Sequence, residues 1–303
     1  MSTQPTRLQE RIASGKPLLL AEITPPTGVD PAPLQAAAKR YAGKVHAVGV
    51  SDNRDRVAMS ALAAASLLKA EGLEPILHVT TRDRNRIALV SEALGAQALG
   101  IRNLLCTSGT HQTLGRYRAA KNVYDIDAVQ LLQTYAQLAQ DCGLLGEAGL
   151  PGAGPFCLSA VASPDADPRE LQLVRLAKKV RAGATLLITQ PVYDVERFEA
   201  WWQEVTRRGL PEQVAIVAGI HPLTNGQLAQ AGERPLPKIP DAVVGRVVAK
   251  TEPGARRAVA VEIALETIRR LSSLRGLRGF SISADGDHEA GLEIIEKSGL
   301  GSN

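Results

Sequence analysis

Short apolar runs along the chain end repeatedly in polar residues, and a helix-like stretch follows almost every one. Leu18-Leu19-Leu20-Ala21 gives way to Glu22, and residues 45–50 to Ser51-Asp52-Asn53. Ile76-Leu77 leads to His78-Val79-Thr80, and Leu104-Leu105-Cys106 to Thr107-Ser108-Gly109-Thr110. Leu186-Leu187-Ile188 is followed by Thr189-Gln190, and residues 214–220 by His221-Pro222. Runs of this length read as buried strands, and their alternation with helical periods predicts βα units around a parallel sheet. Eight such units can be counted, which predicts an α/β fold of the (β/α)8 TIM-barrel kind over residues 1–303, with 1–16 as an N-terminal extension. Barrels of this kind do their chemistry at the C-terminal ends of the strands, where the polar residues fall. An enzyme is the leading expectation.

The strands are expected at 18–24, 45–50, 74–80, 103–107, 155–161, 185–189, 214–220 and 279–283. Pro25-Pro26 stops the first, because proline cannot continue a ladder. Asp30-Pro31 and Asp167-Pro168 each read as a cap with proline at the first helical position. Helices are expected at 56–71, 84–94, 125–141, 194–207, 255–271 and 289–298, with one more before the proline-rich stretch 235–240. The segments 108–124 and 143–154 are the least regular, and the first leaves the catalytic face as a candidate lid.

Composition narrows the function. Aromatic residues are only 3% of the chain, so the core must be built from Leu, Val, Ile and Ala. The formal charge of +4 contains no long basic run, and with so few rings to stack on bases nucleic-acid binding is not expected. Cys106, Cys142 and Cys157 are odd in number and lack CxxC spacing, which argues against a disulfide framework or a cysteine-based metal site, and the two in expected strands read as core thiols. The first sixteen residues carry charges and no apolar segment, so they are no secretory signal. No stretch approaches the ~18–20 apolar residues that span a bilayer. A soluble cytoplasmic protein, without membrane partners, is expected.

Several segments resemble the methylenetetrahydrofolate reductase family, flavin-dependent barrels that reduce methylenetetrahydrofolate to methyltetrahydrofolate. Ala21-Glu22-Ile23-Thr24-Pro25-Pro26 resembles the family's first-strand signature, and the segment from His78 to Asn85 its His-x-Thr segment. Gly100-Ile101-Arg102-Asn103 is similar to its lead into the fourth strand. Lys178-Lys179-Val180-Arg181-Ala182-Gly183-Ala184 and Thr189-Gln190-Pro191-Val192-Tyr193-Asp194 resemble a further block, and Gly219-Ile220-His221-Pro222-Leu223 its seventh-strand end. The resemblance implies the short, catalytic-barrel form, a folate substrate, FAD as cofactor and NAD(P)H or an electron-delivering protein partner as donor. It also allows a homo-oligomer. Two departures stand out. Ser108-Gly109-Thr110 occupies the place where the flavin enzymes usually end Gly-Asp, and Gly226 stands where some relatives carry a phenylalanine.

Glu22 is the sharpest candidate. A strand-end carboxylate flanked by apolar groups would be partly desolvated, which favours its protonated form and suits it to donate a proton near neutral pH. The resemblance implies that it protonates the bridging nitrogen of the folate; the competing reading is a loop carboxylate or helix cap. Gln190 offers an amide donor and acceptor suited to a pterin or nicotinamide edge. The resemblance extends folate binding to Thr110 and Tyr193, and flavin binding to Ser51, His78, Thr107, Ser108, Gly109, Lys178, Lys179 and Ala184. The two lysines would meet the diphosphate, although adjacent helical residues do not face one way. His78 and His221 are too few for a catalytic zinc, which takes about three protein ligands. Arg116, Arg118 and Lys121 give the fourth-strand loop a positive charge suited to a phosphate or a folate glutamate tail. Asp52-Asn53 and Asp285-Gly286-Asp287 stay outside the catalytic set, the latter reading as a turn. Two alternatives remain open: a flavin-free reductase with direct hydride transfer from NAD(P)H, and a non-catalytic folate- or flavin-binding subunit.

Overall fold

The computed structural model describes residues 4–54, 56–138, 140–142, 147–150, 152–224 and 237–301. Eight parallel strands close into a barrel: β1 (Leu18–Ile23), β2 (Ala47–Val50), β3 (Pro75–Thr80), β4 (Asn103–Thr107), β7 (Cys157–Ala162), β8 (Leu186–Pro191), β9 (Ala215–Ile220) and β10 (Gly279–Ser283). A two-residue-per-strand hairpin, β5 (Asp141–Cys142) with β6 (Glu147–Ala148), lies outside it. The first helix is α1 (Arg7–Ala13). The others among the described residues are α2 (Ala32–Tyr41), α3 (Ala61–Ala70), α4 (Arg86–Ala98), α5 (Ala128–Gln137), α6 (Arg169–Arg181), α7 (Val195–Arg207), α8 (Asp241–Val248), α9 (Pro253–Leu271) and α10 (His288–Lys297). The expected (β/α)8 barrel is the fold observed.

Alternation along the strands sorts the core into two layers. Leu18, Leu20, Ala47, Ile76, Leu105, Cys157, Leu186, Ala215 and Val217 pack together inside the barrel. Their neighbours Leu19, Ala21, Val48, Leu77, Leu104, Leu158, Leu187 and Ile216 face outward against the helices. Strands buried on both faces stay largely apolar before their last residues, Ser159 and Ser281 being mid-strand exceptions. One further step along the inward set therefore reaches Glu22, Gly49, His78 and Thr107, and a second step past Leu186, beyond Ile188, reaches Gln190.

Two boundaries differ from the sequence expectation for a local reason. Helix α3 starts at Ala61 rather than at residue 56, because Ser60 accepts from the Ala63 N–H at 3.2 Å and caps it. Asp127 and Gln130 form a capping box that opens α5 later than expected. Asp30 accepts from the Ala32 N–H at 2.9 Å as expected, whereas Asp167 turns to Arg197 instead of capping α6. The helix expected directly after β9 falls on residues outside those described.

Helix α1 forms within the expected N-terminal extension and closes the barrel floor. The Thr6–Gln9 capping box starts it, and Leu8 is fully buried among the inward side chains. Arg278 donates to the Ile12 and Lys16 carbonyls, and Thr6 donates to Asn103 Oδ1 at 2.7 Å. Leu8→Ala is expected to lower unfolding free energy by ~3 kcal/mol, as cavities in rigid cores do. Urea unfolding checks it; a midpoint within error of the parent would mean that α1 is not a packed floor.

Candidate active site

Strand-end side chains from most of the barrel converge on one cavity of about 1110 Å³ at the C-terminal mouth. Glu22, Ser51, His78, Thr80, Thr107 and Gln190 line it, as do Ser108, Gly109 and Thr110 on the loop after β4. Lys178, Lys179 and Arg175 of α6 form its flank. Ten of the twelve residues proposed from sequence thus border one space. The other two do not. Ala184 precedes β8, at the opposite end of that strand from the mouth, and is buried in the core with its N–H donated to the Lys179 carbonyl. Tyr193 packs with Leu223, Val247 and Ile263 beyond the end of β8. Gly226 lies outside the described residues.

Glu22 closes the inward face of β1, in register with Gly49 of β2 and Ser283 of β10. Its side chain is 20% exposed, and its carboxylate stands 3.5 Å from Arg54 Nη1. The apolar collar expected from sequence is therefore incomplete: the loop after β2 brings in a cation. Arg54 also donates to Asp285 Oδ1 at 3.2 Å. Asp285, at a left-handed φ of 40°, lies within 3.6 Å of His221 Nε2. The Asp285–Asp287 turn is present, with Asp287 capping α10, but Asp285 also faces this cluster.

His78 leans over β2. A Cβ on Gly49 would lie 2.8 Å from His78 Nε2, so only glycine leaves room for the ring. Burial holds its pKa below the ordinary histidine value, with Glu22 and Asp52 pulling the other way and Arg54 adding to the lowering. The imidazole is thus neutral near pH 7. Asp52 accepts from Arg84 at 2.7 and 3.2 Å and from the Thr80 N–H at 3.1 Å. Those bonds use both oxygens and make it a brace between the ends of β2 and β3.

Gln190 follows Leu186 and Ile188 on the inward face of β8, beside an irregularity. The β8–β9 register shifts between Ile188 and Pro191. Such bulges re-aim side chains at barrel rims. Thr189 Oγ1 accepts from the Gly219 N–H at 2.9 Å there, and a Cβ on Gly219 would meet the Thr189 carbonyl at 2.5 Å.

Arg82, with a side chain only 6% exposed, ties the rim loops together. It donates to the carbonyls of Thr110 at 3.2 Å and Asn53 at 2.8 Å, while its own carbonyl accepts from the Val123 N–H. The loop after β4 is anchored at both ends over the mouth, and Leu114 from it joins the lining. Arg116, Arg118 and Lys121 are exposed on it. On α6, Lys179 bends inward and donates to the Val161 carbonyl at 2.6 Å, while Lys178 stays at the exposed edge. Burial pushes Lys179 down to about 8; Arg175 adds to this and Asp127 opposes it.

Sequence reasoning missed Arg54, Arg82 and Arg175 and placed no role on Asp285. Arg54 meets Asp285 across 231 residues of chain, and Arg82 reaches the Asn53 and Thr110 carbonyls across 29 and 28, so no local spacing marks those contacts. Cys106 and Cys157 are buried free thiols whose burial raises both pKa values, Cys157 to about 11. No helix among the described residues is long and apolar enough to cross a membrane.

A (β/α)8 barrel with ionisable and amide side chains gathered from several strand ends has the construction of a barrel enzyme. The chain belongs to the methylenetetrahydrofolate reductase family, whose model matches residues 7–299. It is 26% identical over 215 residues to 5,10-methylenetetrahydrofolate reductase of Pectobacterium carotovorum subsp. carotovorum, covering 69% of this chain and 64% of the relative. It is 30% identical over 159 residues to methylenetetrahydrofolate reductase 2 of Saccharomyces cerevisiae, covering 50% of this chain and 24% of that one. A probable methylenetetrahydrofolate reductase (NADPH) of Caenorhabditis elegans is 26% identical over 56% of this chain and 24% of its own. The chain thus spans less than two thirds of the length of each of these relatives. Among solved structures, a Clostridium thermocellum protein described as binding two copies of 5-methyl-5,6,7,8-tetrahydrofolic acid superposes with a TM-score of 0.67 at 14% identity, covering 96% of this chain and 98% of its own. An EDTA monooxygenase from Chelativorans sp. BNC1 superposes with a TM-score of 0.55 at 11% identity, covering 95% of each chain. These two likenesses concern the fold.

Proposed function

We propose that the protein reduces methylenetetrahydrofolate to methyltetrahydrofolate in this cavity, with FAD as hydride carrier and Glu22 as proton donor. The observation that carries the reading is the meeting of Glu22 and Gln190 in one space, from β1 and β8, three places apart round the ring. One side chain can give a proton and the other can read an amide edge, as reduction of a pterin-linked carbon requires. The folate-binding neighbour in the same fold supports a folate ligand.

The lining fits a flavin dinucleotide. Ser51 Oγ and Gln190 Oε1 are buried without a protein partner and both border the cavity, so each has bonding capacity left for a ligand. A Cβ on Gly109, at φ 78°, would collide with Thr80 Cγ2 at 2.4 Å, so the loop backbone can pass close against β3 only with glycine there. Lys178, Lys179 and Arg175 gather positive charge where a diphosphate would lie. The volume exceeds the ~300–1,000 Å³ of ordinary ligand pockets, which leaves room for two bound molecules.

Bound FAD would supply a ring that takes hydride from NAD(P)H or a partner protein and returns it to folate. Glu22 would hold the proton, Gln190 would orient the pterin with Thr110 at the rim, and Ser51, His78, Thr107, Ser108 and Gly109 would hold the flavin. Neutral His78 can accept or donate one hydrogen bond without adding charge beside it. Arg116, Arg118 and Lys121 offer a positive edge to the folate glutamate tail.

Anaerobic addition of methyltetrahydrofolate to the FAD-reconstituted protein is expected to bleach the oxidised flavin band. A colourless protein that turns over methylenetetrahydrofolate with NAD(P)H alone would instead support direct hydride transfer, the reading that Thr110 in place of an acid favours. Folate binding without turnover would leave a binding subunit.

Lys179 gives this reading a pH signature. Its ammonium form predominates below about pH 8 in the free protein and is lost above. An anionic diphosphate should therefore bind more weakly as pH rises through that value. Lys179→Met is expected to weaken FAD roughly tenfold near pH 7, about the worth of one charge-assisted hydrogen bond, and to flatten the pH dependence. Flavin fluorescence titration measures both, and unaltered affinity in the variant would remove Lys179 from the site.

A further inference from the structure

Arg54 stands between two carboxylates, unequally. Its Nη1 donates to Asp285 Oδ1 at 3.2 Å, but it approaches Glu22 Oε1 only to 3.5 Å. The first contact is a hydrogen bond; the second is an ion contact beyond the usual N–H···O range. Asp285 is itself fixed by its place in the tight turn after β10, with His221 Nε2 3.6 Å away just past the end of β9. Arg54 borders the cavity, whereas Asp285 and His221 are not among its described lining residues. The nearby Asp52 is engaged by Arg84 and the Thr80 amide, and among the described residues Asp285 is a hydrogen-bonding counterweight to Glu22.

We infer that Asp285 is a positioning residue that draws Arg54 away from Glu22. The inference rests on Glu22 as the proton donor. A guanidinium closes onto a carboxylate in a short, often bidentate pair when nothing competes for it. Such a pair favours the charged carboxylate and fixes its oxygens. With Asp285 holding the guanidinium, the Glu22 carboxylate is only loosely paired and faces the ligand space. Replacing Asp285 lets Arg54 settle on Glu22, so turnover falls although no group that touches the folate has been removed.

The test is a double-mutant cycle on the FAD-reconstituted protein with Asp285→Asn, Arg54→Met and the pair. Asparagine tolerates the left-handed conformation of the turn, so the fold is retained. Asp285→Asn is expected to lower kcat about tenfold, within the range for coupled charge networks, with KM for folate and FAD affinity unchanged. Adding Arg54→Met to it should restore much of the loss, because the group that would seize Glu22 is gone; simple damage to the turn would not be reversed. Asp285→Glu should retain more activity than Asp285→Asn. Wild-type kcat in Asp285→Asn, or a double variant no faster than that single one, would overturn the inference. Glu22→Gln run in parallel separates the two failures: if that variant is active, the proton-donor reading falls and this one with it. If it is inactive while Asp285→Asn is normal, only the positioning role falls.

Discussion

Glu22→Gln is expected to abolish turnover, lowering kcat by about a hundredfold to ten-thousandfold, the usual worth of a placed general acid. The amide keeps the size and polarity of the side chain but has no proton to give. The backbone of residue 22 stays in register with Gly49 and Ser283, so the strand is not disturbed. Arg54 keeps Asp285 as a partner. Flavin and folate should therefore bind as before, and the loss should fall in kcat and not in KM. Steady-state kinetics with direct folate titration checks this. Near-parental kcat in the variant would end the assignment of Glu22 and with it the reaction scheme.

Asp52→Ala is expected to be among the most destabilising single substitutions at the mouth, by about 3 kcal/mol, the lower end for breaking a buried ion pair. The Asp52 side chain is 1% exposed, and its removal strips Arg84 of two hydrogen bonds and the Thr80 N–H of its acceptor. The lower end applies because the Arg84 side chain remains 18% exposed and has Glu92 at 3.9 Å. Denaturant unfolding should show a lower midpoint at unchanged slope. Asp52→Asn, which keeps an acceptor for Thr80, should lie between the two. A midpoint equal to the parent's would mean that the pair is not a brace.

These two residues show how far the chain could be read before folding. Glu22 was legible because an acid directly after a four-residue apolar run has one obvious place in a barrel. Asp52 sits at the same kind of position and reads equally well as an acid–base candidate. Its role depends on Arg84, which the β3–α4 loop brings back to it from 32 residues away. Helix α1 carried a readable signal, Thr6 and Gln9 at capping-box spacing, within the segment taken as an extension. The β4 boundaries matched because polar Asn103 and Thr107 bracket its apolar run of Leu104, Leu105 and Cys106. The start of α3 did not, because an alanine-rich stretch permits a helix over its whole length and only the Ser60 cap says where it begins.

The sequence by itself determined the barrel, the order of its strands and which strand ends carry polar groups. Those properties follow from burial and periodicity, which are written locally. Tertiary structure alone decided what each polar group meets. Closure of β1 against β10 set Asp285 beside the arginine that approaches Glu22, across 231 residues of chain. Ala184 and Tyr193, which belong to the same resembling segments as the cavity residues Lys179 and Gln190, were left facing packed core. A side chain's charge state and reach depend on neighbours through space, and only the closed ring brings those neighbours together.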